Sequence, residues 1–187
     1  GDIYAACKIL APEYFYSAAD DLVQLLGGRG YIESNSAPQM LRDARVARIL
    51  EGPTEALNMH LGSRIVNDNE EIQAFMNDLP EGAAIFDELI STVSNISQNI
   101  AVVEADFRSP IAAKQWSYAQ CGAVTAGAIL FAVMQSGKHR SHNAVSAAML
   151  HWAAEKFSHA RTTALDNISP AHAQATNVDF LDITSSY

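Results

Sequence analysis

The sequence predicts an all-α protein, a helical bundle followed by a second helical segment. Three observations carry this. Apolar residues recur every three or four positions through almost the whole chain. Period-2 alternation, the mark of a half-buried strand, is almost absent, and no Asn-Gly pair offers a hairpin turn. Glycine and proline mark the main breaks between the periodic stretches, at Gly27-Gly28, Gly52-Pro53, Pro110 and Gly137.

The elements follow in order. From Cys7, the positions Leu10, Tyr14, Ala18, Leu22 and Leu25 line one helical stripe, and Gly27-Gly28 stops it. Pro12 lies inside this stripe, where it either kinks the helix or opens a new one from its first turn. Residues 29–37 read as a loop, and Pro38 opens a helix through about Val46. Glu51-Gly52-Pro53 is a break, with Thr54 or a neighbour capping a third helix to about Ile65. Residues 66–69 are polar and turn-like, and a domain boundary is placed there, dividing residues 1–65 from 66–187. Beyond it Ile85, Leu89, Val93, Ile96, Ile100, Val103 and Phe107 step by 4, 4, 3, 4, 3 and 4, the pattern of one amphipathic helix of about seven turns. Ser109-Pro110 restarts the chain into a helix from Ile111 to about Gln135, and Ser136-Gly137 ends it. A last helix runs from about Ser141 to Leu165, and the pattern fades after Pro170.

Composition narrows the function classes. The chain has 187 residues, 49% hydrophobic, so it can bury a core and is not disordered throughout. Twelve Lys and Arg against 21 Asp and Glu give a net charge of -9, which argues against a nucleic-acid or anionic-lipid surface. Residues 1–65 nevertheless carry six basic groups against eight acidic ones, and Arg29, Arg42, Arg45 and Arg48 gather near their loops, a pattern that suits a phosphate-bearing ligand or simply solvated helix faces. Cys7 and Cys121 are too few and too far apart for a disulfide framework, which fits a reducing compartment. No targeting segment is visible, and the most apolar stretch, residues 121–134, is shorter than the roughly 20 residues of a membrane span. The expectation is a soluble chain without a membrane span.

Histidine spacing bears on metal binding. His139 and His142 are three apart, and His151, Glu155 and His159 fall four apart on one helical face, but no HExxH pair accompanies them, so no metal site is expected. Trp116, Tyr118, Trp152 and Phe157 read as packing between helices.

The first 65 residues hold features that are weak singly and specific together. Gln24-Leu25-Leu26-Gly27-Gly28-Arg29-Gly30-Tyr31 ends a helix with three glycines, which permit close backbone approach and expose N–H groups. Leu41-Arg42-Asp43-Ala44-Arg45 follows, then Ile49-Leu50-Glu51-Gly52, where a carboxylate stands at a helix–helix break, and Glu55. With Lys8 and Glu13 upstream, this order and spacing resembles the C-terminal signature of the acyl-CoA dehydrogenases, and covers about a third of the chain.

The resemblance implies an FAD-dependent enzyme that removes an α-proton and a β-hydride from an acyl-CoA or acyl-carrier thioester. It implies that Glu51 is the base, that Gly52 lets the substrate pass close over the backbone, and that Gln24, Leu25, Leu26, Gly27, Gly28, Thr54 and Glu55 contact FAD, the first five often on the flavin of a neighbouring subunit. A base for this chemistry works when burial beside flavin and acyl chain brings its proton affinity towards that of the polarised α-C–H. Pro53 departs from the family, where Thr or Ser is usual. The family's N-terminal helical domain, its β-domain and the first bundle helices have no counterpart here. The resemblance therefore also implies a fragment or a split enzyme that needs those portions or a partner chain, self-association through faces such as Ile9, Tyr14 and Leu22, and an electron-transfer flavoprotein as a possible acceptor. The compartment it implies is cytoplasmic, or the mitochondrial matrix in a eukaryote. The competing reading is a non-catalytic helical module for interaction or oligomerisation, derived from that family, with residues 66–187 as a helical extension.

Overall fold

The structure, a computed structural model, describes residues 1–101, 109–137 and 144–168. Its eight described helices are α1 (Asp2–Leu26), α2 (Gly28–Tyr31), α3 (Ala37–Ala47), α4 (Thr54–Asn67), α5 (Glu70–Asn77), α6 (Gly82–Gln98), α7 (Pro110–Gly137) and α8 (Ala144–Asn167). No strand occurs among the described residues, as the all-α expectation requires.

The core helix is α7. Its buried positions are mostly small: Ala113, Ser117, Cys121, Gly122, Ala126, Gly127, Ala128 and Ala132 stand among Val124 and Ile129. Small side chains let neighbouring backbones come close. Helix α4 crosses α7 where Gly62 faces Gly122. A Cβ on Gly62 would run into the Tyr118 carbonyl, and one on Gly122 into the Asn58 carbonyl. On another side Gly127 lies against Phe157 of α8, where a Cβ would stand 2.9 Å from the Phe157 Cα. Leu61 and Ile65 of α4, Ile9 and Leu10 of α1, Ile72 and Met76 of α5, and Leu89 and Ile96 of α6 complete one hydrophobic core. That core takes side chains from both sides of residue 65. By length and composition α7 could cross a membrane, but 56% of its most apolar window is buried within the fold, as befits a helix the others wrap.

Several local expectations are corrected. Of the two expectations for Pro12, the opening of a new helix is overturned: α1 runs unbroken through it, and the proline removes the N–H that would reach the Lys8 carbonyl. The loop of residues 29–37 contains the one-turn α2, and α3 starts one residue earlier than Pro38 suggested. The N-cap of α4 is Pro53, with no side-chain cap bond, and Thr54 is already helical. Helix α5 occupies residues assigned no element. The seven-turn helix is interrupted: α6 ends at Gln98, the Asn99 side-chain amide donates back to the Asn95 carbonyl at 2.9 Å and to its Oδ1 at 2.7 Å, and residues 100–101 are helical again. Val103 and Phe107, and likewise His139 and His142, lie outside the described residues. Ile9 is not an open face but 2% exposed, covered by the helices after residue 65; Tyr14 meets the Trp152 ring edge-on, centroids 5.0 Å apart.

Of the other aromatics, Phe157 is buried and Trp116 and Trp152 pack partly buried against the core, as read from sequence. Tyr118 sits at its margin, its hydroxyl accepting from Asn67 at 3.3 Å, a bond that with the nearby Lys114 ammonium lowers its pKa. His151 pairs with Glu155 at 3.5 Å on an exposed face, and no metal-holding group of three or more His, Cys, Asp or Glu occurs among the described residues.

Two outcomes follow. Gly62→Ala or Gly122→Ala should destabilise the fold by about 3 kcal/mol in urea unfolding, because backbone must move to admit the methyl group. Burial pushes the Cys121 thiol up to about 12, against smaller opposing hydrogen bonds with Ser117 and Ser97, while Cys7 is exposed. Thiol titration at pH 8 should therefore count one reactive cysteine in the folded chain and two in denaturant.

Candidate functional site

The predicted site residues divide between the two ends of one helix pair. Helices α1 and α3 run antiparallel: the C-terminal end of α3 is tied to the first half of α1, while α2 links the far end of α1 back towards the start of α3. Lys8 donates from Nζ to the Ala47 carbonyl at 3.0 Å, and Arg48 Nε donates to Glu13 Oε1 at 2.7 Å. The Arg48 guanidinium also lies over the Tyr16 ring, 5.0 Å from its centroid. Glu51 follows three residues after Arg48. The glycine loop follows Leu26, about 14 residues beyond Glu13, or about 20 Å further along α1 at 1.5 Å per residue. The structure therefore brings Glu51, Gly52, Thr54 and Glu55 together, and holds Gln24, Leu25, Leu26, Gly27 and Gly28 together, but separates the two groups.

The base candidate stands on a strained corner. Ile49 and Leu50 both donate to the Val46 carbonyl, at 2.9 and 3.1 Å, and the chain then turns with Glu51 at φ 61°. A left-handed φ is unfavourable for a residue with a Cβ. Gly52 continues at φ 107°, where no side chain is comfortable, although there is room for one beside Leu57. Pro53 then enters α4 extended, and Ala56 and Leu57 donate to its carbonyl. The loss of a hydroxyl cap at Pro53 is real, and the N–H groups of Thr54 and Glu55 precede the first intrahelical donors. Glu51 and Glu55 are exposed and Thr54 is half-buried.

The glycines of the loop have separate reasons. Gly27 caps α1 at φ 56°, its N–H donating to the Gln24 carbonyl at 3.1 Å. Gly30 is buried against α1, where a Cβ would meet the Val23 carbonyl at 2.5 Å. Gly28 has neither constraint: its φ is ordinary and nothing lies within 4 Å of an added Cβ. Gln24, Leu25 and Leu26 are exposed beside it, Leu25 to 85%.

Of the four gathered arginines, two are engaged within the fold. Arg42 forks onto Glu33 at 2.9 and 3.1 Å, which holds that carboxyl below its usual range, and Arg48 is bound to Glu13. Arg29 and Arg45 are exposed. Lys8 and Glu13, matched to the family pattern without a role, turn out to brace the end of α3. Tyr16 was missed, since a contact 32 residues away in sequence leaves no periodic trace.

Substitution separates these roles. Gly30→Ala should cost about 1–3 kcal/mol through overpacking. Gly28→Ala should change stability by less than about 0.5 kcal/mol, or raise it slightly. Paired urea titrations of the two variants check this.

Residues 2–66 match the family model described as "Acyl-CoA dehydrogenase, C-terminal domain". Over 65 residues the chain is 34% identical to the mitochondrial isobutyryl-CoA dehydrogenase of Dictyostelium discoideum, covering 35% of this chain and 16% of that protein. Over 55 residues it is 34% identical to the mitochondrial very long-chain specific acyl-CoA dehydrogenase of Mus musculus, and 33% to that of Homo sapiens, covering 29% of this chain and 8% of each relative. No solved structure gives a significant match. The chain thus spans under a fifth of the length of these relatives, and the likeness to the acyl-CoA dehydrogenase C-terminal domain is carried by residues 2–66.

Proposed function

We propose that this chain supplies the base and one flavin-contacting loop of an FAD-dependent acyl-CoA dehydrogenase. The observation that carries the reading is Glu51, an exposed carboxylate at φ 61° on the corner between two anchored helices, at the position the family motif gives its base. Glu81 ahead of Gly82 adopts the same φ of 61°, so the corner alone does not single out Glu51; its place in the family motif does.

The residues present are compatible with FAD. Gly28, free of any packing constraint, leaves an open backbone surface beside Gln24, Leu25, Leu26 and Gly27 for the ADP portion, and Thr54 and Glu55 offer first-turn N–H groups, without a hydroxyl from Pro53. When bound, the cofactor supplies the hydride acceptor for the β-carbon. The work of this chain is narrower. Glu51 takes the α-proton at a carboxylate oxygen, and Gly52, without a side chain, lets the thioester lie close over the backbone. Exposed Glu51 becomes a competent base when acyl chain, flavin and neighbouring protein exclude water from it. The separation of about 20 Å along α1 supports assigning the two groups to two flavins, Glu51 acting in one active site and the glycine loop touching the cofactor of a neighbour.

On this reading residues 1–65 are the end of the catalytic bundle and residues 66–187 a helical extension that completes its core. The flavin- and substrate-binding portions come from elsewhere, in the same polypeptide or a partner chain. The assembly is a homo-oligomer that passes electrons to an electron-transfer flavoprotein, in the cytoplasm or the mitochondrial matrix. The second reading, a non-catalytic interaction module, is favoured by exposed apolar residues on the first three helices and their turns: Tyr4, Leu25, Tyr31, Ile49 and Leu50.

In the assembled flavoprotein, Glu51→Gln should lower acyl-CoA oxidation by about 100- to 10,000-fold, the usual contribution of a general base, with the flavin absorbance of the purified complex unchanged. Undiminished turnover overturns the base assignment. A colourless assembly with no flavin in either form favours the interaction module.

A further inference from the structure

We propose that Glu13 and Arg48, with Lys8 and Tyr16, form a clamp that fixes the left-handed backbone of Glu51, which makes Glu13 and Arg48 positioning residues for the base. The proposal rests on the reading of Glu51 given above, and its test separates the two.

The corner needs an anchor that its own sequence does not provide. A left-handed glutamate costs about 1–2 kcal/mol, so surrounding structure has to over-determine it. The residues leading into it do not: Ile49 is 54% exposed and Leu50 59%, so neither packs the turn into place. The exit is held, because α4 is locked against α7 through Gly62. The entrance is held by α1 at two consecutive residues. Lys8 takes the Ala47 carbonyl, and Glu13 takes Arg48 through a short charge-assisted bond. Tyr16 supports the same guanidinium from its ring face. The side chains of Arg48 and Glu13 are 29% and 21% exposed, so water and salt screen this pair less than a fully exposed one. Lys8, Glu13 and Tyr16 span little more than two turns of α1, and all converge on the last residues of α3, three positions before Glu51. Arg48 gives the clamp a planar donor that also stacks, a geometry lysine does not reproduce.

The test uses the full chain, ¹⁵N-labelled, as wild type, Glu13→Gln, Arg48→Gln and the charge-reversed double variant Glu13→Arg/Arg48→Glu. In each single variant, amide exchange at Ile49 and Leu50 should rise about tenfold, the loss of one partly buried charge-assisted bond. The Glu51 HN–Hα coupling should move from its left-handed value, while exchange at Leu89 in the core stays constant. Charge reversal should restore Ile49, Leu50 and Glu51 to about the level of Tyr16→Leu, because the reversed pair no longer places a guanidinium over the Tyr16 ring. Tyr16→Leu, which keeps the ion pair and removes the ring, should give a smaller change of the same sign and serves as the second probe if a single variant fails to fold. Unchanged exchange and coupling overturn the clamp, as does an equal rise at Leu89, which would mark a bond that merely stabilises the fold. If Glu51→Gln leaves turnover intact while the clamp readouts hold, the base reading falls and the clamp stands. The opposite pattern removes the clamp alone.

Discussion

The close crossing of α4 and α7 is the constraint on which the rest of the structure depends. Gly62 and Gly122 bring two backbones within reach of each other's carbonyls, and that approach decides where α4 lies. Helix α4 begins two residues after Gly52, so the same contact decides where the corner at Glu51 ends. It also joins the family segment to the rest of the chain. Leu61 and Ile65 reach the core from α4 and Cys121 and Val124 from α7, and Ile9 and Leu10 of α1 are buried among the same residues. A single core therefore supports a segment that in the matched relatives is under a fifth of the protein. Wider side chains at the crossing would separate the helices and leave α1 with an uncovered apolar stripe.

Polar contacts do the complementary task at the edges of the family segment. The N-terminal end of α1 is fastened to α4 by Arg64, whose Nε donates to both oxygens of buried Asp2 at 3.1 and 3.3 Å while its NH1 reaches Asp68 at 2.8 Å. Hydrogen bonds to Asp2 and Asp68 raise the Arg64 pKa, so the guanidinium keeps its charge. Lys8 and Arg48 then fasten α3, and the Arg42–Glu33 fork fastens the loop that enters it. The Arg42–Glu33 pair is exposed and adds little stability; it orders a surface turn. The tie made by Arg48 differs because it is partly buried and adjoins a strained residue.

The fold class and most helix boundaries were legible because they depend on near neighbours. A Gly-Gly stop, a Pro restart and a stripe stepping by three and four each act within one or two turns. The failures share the opposite cause. Asn99 ends α6 by bonding its own previous turn, a choice that the continuing apolar period at Ile100 conceals. Helix α5 is too short for its periodicity to stand out, and owes its place to Ile72 and Met76 packing into a core assembled from distant segments. Ile9 looked uncovered because its covering helices lie many residues downstream. At the site, the pattern of residue types located Glu51 and the glycine loop. The bracing by Tyr16 and the distance between the two groups needed coordinates, since neither is encoded in spacing along the chain.

The glycines show how packing and chemistry can be told apart in such a chain. Gly30, Gly62 and Gly122 each stand where a methyl group would meet a carbonyl oxygen, and Gly27 holds a backbone angle that side chains resist, so the fold alone accounts for all four. Gly28 is accounted for by neither. A glycine at the first position of a helix, open to solvent and at an ordinary φ, gives up conformational entropy without a return inside this chain. Glu51 carries backbone strain at an exposed corner, as Glu81 does ahead of Gly82, so strain alone does not mark a site and the family pattern around Glu51 has to carry that reading. At Glu51 the cost is met by the ties from α1 to the end of α3, whereas Gly28 has no such counterpart inside this chain. On the proposed reading the two positions serve separate ligands, the phosphates of a neighbour's flavin meeting bare backbone at Gly28 and an acyl chain covering the Glu51 carboxylate in another active site, as their separation of about 20 Å along α1 requires.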